Sequence, residues 1–153
     1  MRNGAQVTFE GIHKRKDGNT FPVEVRVGSI WIQDKMFDLA LVRDVTERKN
    51  TEEELSKLST AVEQTADNVT ITGIDGIIEY VNPAFVKLTG YKADEVIGKT
   101  SRILKSGMHD DEFYRNLWKK ILSGKVYRGE LVNKKKDGGL YYEEKTITPL
   151  KDG

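Results

Sequence analysis

Cysteine is absent from the 153 residues, which excludes a disulfide framework and thiolate metal sites and is compatible with a reducing compartment. Long apolar runs are missing too. No stretch approaches the roughly 20 residues of a membrane span, and residues 1–5 lack the apolar core of a secretion signal. Nor does one sign of charge dominate: Lys and Arg total 25 against 24 Asp and Glu, a formal net charge of +1. The basic excess that phosphate-backbone binding advertises is therefore not there. The two His stand too far apart to suggest a metal pair. These absences predict a cytoplasmic protein with neither nucleic acid nor membrane among its partners. The 37% of hydrophobic residues suffice for one ordinary core and leave little room for two complete domains.

What is present is an internal echo. The run Lys14-Arg15-Lys16-Asp17-Gly18-Asn19-Thr20-Phe21-Pro22-Val23-Glu24 returns as Lys134-Lys135-Lys136-Asp137-Gly138-Gly139-Leu140-Tyr141-Tyr142-Glu143-Glu144, an offset of 120 from Asp17 to Asp137. That period suits a tandem array of domains better than a solenoid, whose repeats run to about 20–50 residues. The chain reads as cut out of phase, with the end of one repeat followed by the start of the next.

In the first copy Phe21, Val23, Val25 and Val27 alternate with Glu24 and Arg26, the period of a half-buried strand. With residues 7–13 and the Asp-Gly turn this predicts a hairpin. Residues 36–42 are apolar on both faces and read as a central strand. From 46 to 66 the spacing becomes helical, with Leu55, Leu58, Val62 and Thr65 as a narrow stripe; Thr51 and Glu54 resemble a capping box, or the helix starts earlier at Thr46. Two short strands, 69–73 and 77–81, follow. Asn82 then caps a helix with Pro83 at its first position and Gly90 past its end. A longer helix opens at Asp110, Asp111 and Glu112 and ends near Lys119, Lys120 and Gly124, with Phe113, Leu117 and Ile121 as one ridge and Tyr114, Trp118 and Leu122 beside it. Strands 126–133 and 140–148 flank the second Asp-Gly turn.

Several of these residues carry a family resemblance. Asp75-Gly76-Ile77-Ile78-Glu79-Tyr80-Val81-Asn82-Pro83-Ala84-Phe85, Leu88-Thr89-Gly90-Tyr91, Glu95-Val96-Ile97-Gly98 and Lys136-Asp137-Gly138 together resemble the PAS signature, and residues 43–49 resemble the motif that closes PAS domains and enters a signalling helix. The resemblance implies an α+β fold: a five-stranded antiparallel sheet with helices over one face and a pocket between. It divides the chain into residues 1–45, the C-terminal strands of a preceding PAS repeat, residues 46–66, a linker or signalling helix, and residues 67–153, a PAS domain lacking its last strand. Residues 36–45 are the spare copy of that strand, and within them 37–45 are the ones placed at the centre of the sheet. They are expected to close the sheet beside Val69 and Ile71, either within one chain as a circular permutation or exchanged between two.

Residues 98–105 are similar to the motif of light-oxygen-voltage PAS domains. Ser101 stands where those photoreceptors carry a reactive Cys, so thiol adduct chemistry is excluded. By the same resemblance Arg102 matches the flavin-phosphate arginine, Thr100 replaces an Asn, Ile103 lies within the motif, Asn133 matches one flavin-ring amide, and Glu143 takes the place of a second. Under the 120-residue offset Glu143 corresponds to Val23 on the apolar face of the first copy, so its carboxylate is expected to point inward and to need a polar ligand, water or a cation such as Lys145 or Arg102. Solvation of that strand end is the plainer reading. Trp118 and Tyr114 are candidates to stack on a flat cofactor, or plain core. His109 is read as a surface residue at a helix end rather than a haem ligand. No acid/base or nucleophile constellation emerges, because neighbouring strand residues face opposite ways.

The expectation is a non-enzymatic sensory and regulatory PAS module of a signal-transduction protein, with a homodimer, a small-molecule ligand or cofactor, and kinase or cyclase output domains as partners. The cofactor is left open, with flavin the candidate and haem disfavoured. The alternatives are a flavin redox sensor and a ligand-free dimerisation scaffold.

Overall fold

A computed structural model describes residues 6–150. The chain divides into two compact units, Met1–Ser59 and Thr60–Gly153.

The first unit is an antiparallel sheet of β1 (Val7–Lys14), β2 (Thr20–Ile32) and β3 (Lys35–Asp44), in that order, followed by α1 (Thr46–Gln64), which runs on into the second unit. The alternation in β2 does what its period predicts: Val23 and Val25 are buried and Arg26 is exposed. β3 is exposed along its whole length. α1 starts at Thr46 rather than at Thr51. The Asp44 carboxylate accepts from the Thr46 N–H at 3.0 Å, while the Thr51 hydroxyl donates to the Glu47 carbonyl inside the helix.

The second unit contains β4 (Thr70–Thr72), β5 (Ile78–Val81), α2 (Pro83–Thr89), α3 (Ala93–Val96), a 3-10 turn at Ser101–Leu104, α4 (Asp111–Leu122), β6 (Tyr127–Lys134) and β7 (Leu140–Ile147). α2 has the ends its sequence announces, with Asn82 Oδ1 accepting from the Phe85 N–H at 3.1 Å and Gly90 left-handed at φ 76°. Ile78, Val81, Phe85, Val96 and Leu104 form its core cluster.

The sequence echo is also a structural one. β1 pairs with β2 so that Gly11 faces Val23, and β6 pairs with β7 so that Leu131 faces Glu143, the same register moved by 120. The turns agree bond for bond: Asn19 N–H to Asp17 Oδ1 is matched by Gly139 N–H to Asp137 Oδ1, and Gly18 and Gly138 take φ of 93° and 90°.

The α+β class holds, with antiparallel sheets and helices, but the sheet is not closed as expected. Among the described residues β3 pairs with β2 alone, and the second unit holds two separate ladders, β4–β5 and β6–β7, so residues 37–45 close no five-stranded sheet there. The connection explains this. An antiparallel neighbour of β4 must end near the start of β4, yet α1 is an unbroken nineteen-residue helix about 28 Å long. The residues after it would have to run extended back along it. Instead, Asn82 Nδ2 holds the Val62 and Asp67 carbonyls together, at 3.1 and 2.9 Å, so the chain turns at the helix end.

Candidate ligand site

The inner face of the β6–β7 hairpin carries an unusual set of side chains. Because side chains alternate along a strand, Leu131 and Asn133 on β6 share a face with Tyr141, Glu143 and Lys145 on β7. Leu131, Asn133 and Tyr141 are buried. Glu143 lies where the first copy has a fully buried valine, and its side chain is 10% exposed.

Burying a carboxylate costs several kcal/mol unless donors surround it. Glu143 has three. Its Oε1 accepts from Asn133 Nδ2 at 2.7 Å and from Lys145 Nζ at 3.0 Å, and its Oε2 accepts from Asn68 Nδ2 at 2.8 Å. Lys145 is thus the cation that the sequence proposed, and Asn68 is a partner it did not. Tyr141, opposite Asn133, is 7% exposed and its hydroxyl has no hydrogen-bond partner. Burial raises its phenol well above the ordinary value. The Glu143 charge adds to the shift, and the Asn133 amide opposes it without reaching hydrogen-bonding geometry. Thr70 Oγ1 on β4 is a second buried hydroxyl without a partner.

Asn68 belongs to the turn that joins α1 to β4, and that turn is clamped by Asn82. Asn82 is fully buried and uses its whole amide: Oδ1 accepts from the N–H groups of Val69 and Phe85, at 2.9 and 3.1 Å, while Nδ2 donates to Val62 and Asp67. Glu143 and the last turn of α1 are therefore joined through one short segment. The sequence signalled Asn82 only as a helix cap; nothing in its spacing marked Asn68.

The remaining candidates lie elsewhere. Thr100 is exposed and forms a β-bridge with Ile77. Arg102 is exposed on the 3-10 turn, where its charge is a minor contributor, behind Lys105, to holding the Asp111 carboxyl below its ordinary value. Ile103 packs on the core cluster. Trp118 is half-buried against the Asp75-Gly76 turn: a Cβ on Gly76 would come within 2.9 Å of its ring, and Gly76 has φ 77°. The sequence-derived set thus divides, with Asn133 and Glu143 in direct contact and Trp118 beside the turn that bonds Ser101, whose N–H donates to the Gly76 carbonyl at 3.1 Å. His109, read as a surface residue, is half-buried and accepts a hydrogen bond from the Val132 N–H.

The family model described as "PAS fold" matches residues 56–153, well over half of the chain. The chain belongs to the PAS family. A second model, "PAS domain", matches residues 1–47. Among curated relatives, this PAS chain is 36% identical over 91 residues to a nitrogen fixation regulatory protein of Klebsiella oxytoca, covering 60% of the chain and 18% of that protein. It is 37% identical over 76 residues to a blue-light-activated histidine kinase of Brucella canis, covering 50% of the chain and 16% of the kinase. The chain therefore spans less than a fifth of the curated relatives it matches. An RNA-binding light-oxygen-voltage receptor of solved structure shares the fold, with a TM-score of 0.57 at 14% identity over 98% of this chain and 73% of that one. Among the described residues no helix is long and apolar enough to cross a membrane.

Proposed function

We propose that this module senses a small ligand or cofactor at the inner face of β6 and β7 and passes the occupied state to α1, within a larger cytoplasmic signalling protein whose output domains are of the kinase or cyclase kind. One observation carries the reading: the Glu143 carboxylate joins Asn133 on the ligand face to Asn68 in the turn at the end of α1. A ligand that competes for Glu143 or Asn133 binds one arrangement of this link better than the other, which is the condition for shifting an equilibrium. The chain itself performs no chemistry in this reading. Dimerisation through α1 would turn the change at its end into output. Hydrogen exchange tests the link. Asn68→Ala should speed exchange at the amides of residues 64–69 and leave those of α4 unchanged; identical exchange in variant and parent would count against it.

A flavin sensor is the second reading, favoured by the buried Tyr141 hydroxyl, which has no partner, on the strand face that already carries Asn133 and Glu143. These fit a group that brings its own hydrogen-bonding edge. Asn133, Tyr141 and Glu143 would hold the ring, and Arg102 is the residue that the family resemblance assigns to the phosphate. A bound flavin supplies redox and light chemistry. The chain's residues orient it, and Ser101 offers no thiol. The absorption spectrum of the purified protein, before and after addition of flavin mononucleotide, separates the two readings: flavin bands that stay with the protein through gel filtration support the second.

A further inference from the structure

We propose that His109 is a proton-sensitive latch on the edge of β6. One edge of β6 pairs with β7. Along the other runs the segment 105–109: Lys105 forms a β-bridge with Asn133, the Ser106 hydroxyl donates to the Val132 carbonyl, and the Val132 N–H donates to His109 Nε2 at 2.9 Å. Both backbone groups of Val132 are thus taken by side chains instead of a strand. The serine bond survives any pH. The histidine bond exists only while that ring nitrogen is unprotonated, because a proton there turns the acceptor into a donor facing a donor.

The surroundings compensate little for an imidazolium. The ring lies against Phe113, with centroids 4.1 Å apart and planes 18° from parallel, and Tyr114 stands edge-on at 6.1 Å. Lys105 and Asp111 are paired with each other at 3.0 Å, and the Asp110 carboxylate accepts from the Phe113 N–H at 2.8 Å. Glu112 and Arg115 on α4, and Arg128, Glu130 and Lys134 on β6, make no ion pair with His109 among the described residues. Protonation therefore frees the Val132 N–H from His109, while the Ser106 bond to the Val132 carbonyl and the β6–β7 ladder stay intact. Asn133 is the next residue, so the loosening reaches its contact with Glu143; that consequence rests on the ligand-site reading, and the latch does not.

NMR on the full chain tests the latch by following the ring titration of His109 and the exchange protection of the Val132 amide together. Protection at Val132, taken relative to its intrinsic exchange rate, should fall about tenfold as the ring gains its second proton, while the Glu143 amide, opposite Leu131 in the ladder, stays protected. In His109→Gln the side-chain oxygen accepts without titrating, so protection should persist with no step. His109→Phe should lose it at every pH. Protection that stays flat through the wild-type ring titration overturns the proposal, and so does the same step in His109→Gln.

Discussion

At the scale of single residues, Asn82 has the most to lose. It is fully buried, and its amide satisfies two N–H groups and two carbonyls drawn from the end of α1, the turn after it and α2. Removing it leaves Val62, Asp67 and Val69 without that partner and strips α2 of its cap. Each unsatisfied buried group costs about 1–3 kcal/mol, so Asn82→Ala should destabilise the second unit by about 3 kcal/mol or more in urea unfolding. An unfolding midpoint equal to the parent's would mean that water replaces the amide and that the clamp on α1 is weak. Glu143 illustrates the other side of burial. Its three donors make the carboxylate tolerable inside, and the same three bonds make it sensitive to any ligand that offers a better donor.

Among the elements, α1 stands out because none of its side chains is buried. Leu55 and Leu58 are 61% and 60% exposed, and the ion pairs along the helix, Arg48 with Glu52 and Glu53 with Lys57, are themselves exposed and contribute little. An isolated helix of this length is marginal in water. A second copy packed along the Leu55, Leu58 and Val62 stripe would remove that apolar surface from solvent. Sedimentation equilibrium should therefore show a dimer that Leu58→Asp weakens by at least tenfold in dissociation constant; a monomer at high micromolar concentration, unaltered by the substitution, would refute this. β3 is the second exposed element. Its pairing with β2 is local and complete, and its outer edge is open among the described residues.

Over the whole molecule, opposite charges nearly balance, and exposed carboxylates sit beside cations. The hydrogen bond from Lys136 holds Glu95 below its ordinary value of 4.5, and that from Lys105 does the same for Asp111, whose ordinary value is 3.8. Glu10, bonded to Lys49, and Asp44, bonded first to Thr46 and then to Arg15, are lowered likewise. A carboxyl lowered in the folded state stabilises it fully above the unfolded value and loses that contribution as pH falls through the folded one. Urea midpoints should hold steady above about pH 5, fall below it, and fall less at high salt, which screens these exposed pairs. A midpoint unchanged down to about pH 3 would show that the pairs contribute nothing.

The hairpins and their turns, the Asn-Pro to Gly helix and the inward direction of Glu143 were legible from the chain alone. Each depends on local backbone preference or on a repeat within the sequence, and the first copy supplied the test in Val23, which is fully buried. Tertiary structure decided the rest. Asn68 meets Glu143 across 75 residues, and Val132 meets His109 across 23; neither contact leaves a spacing to read. The apolar pattern of β3 declared a central strand but not its neighbours, because hydrophobic alternation specifies which face is buried and is silent on which strand lies alongside. The unbroken length of α1 and the Asn82 clamp at its end made that choice, by denying the chain the extended return that closure within one molecule requires.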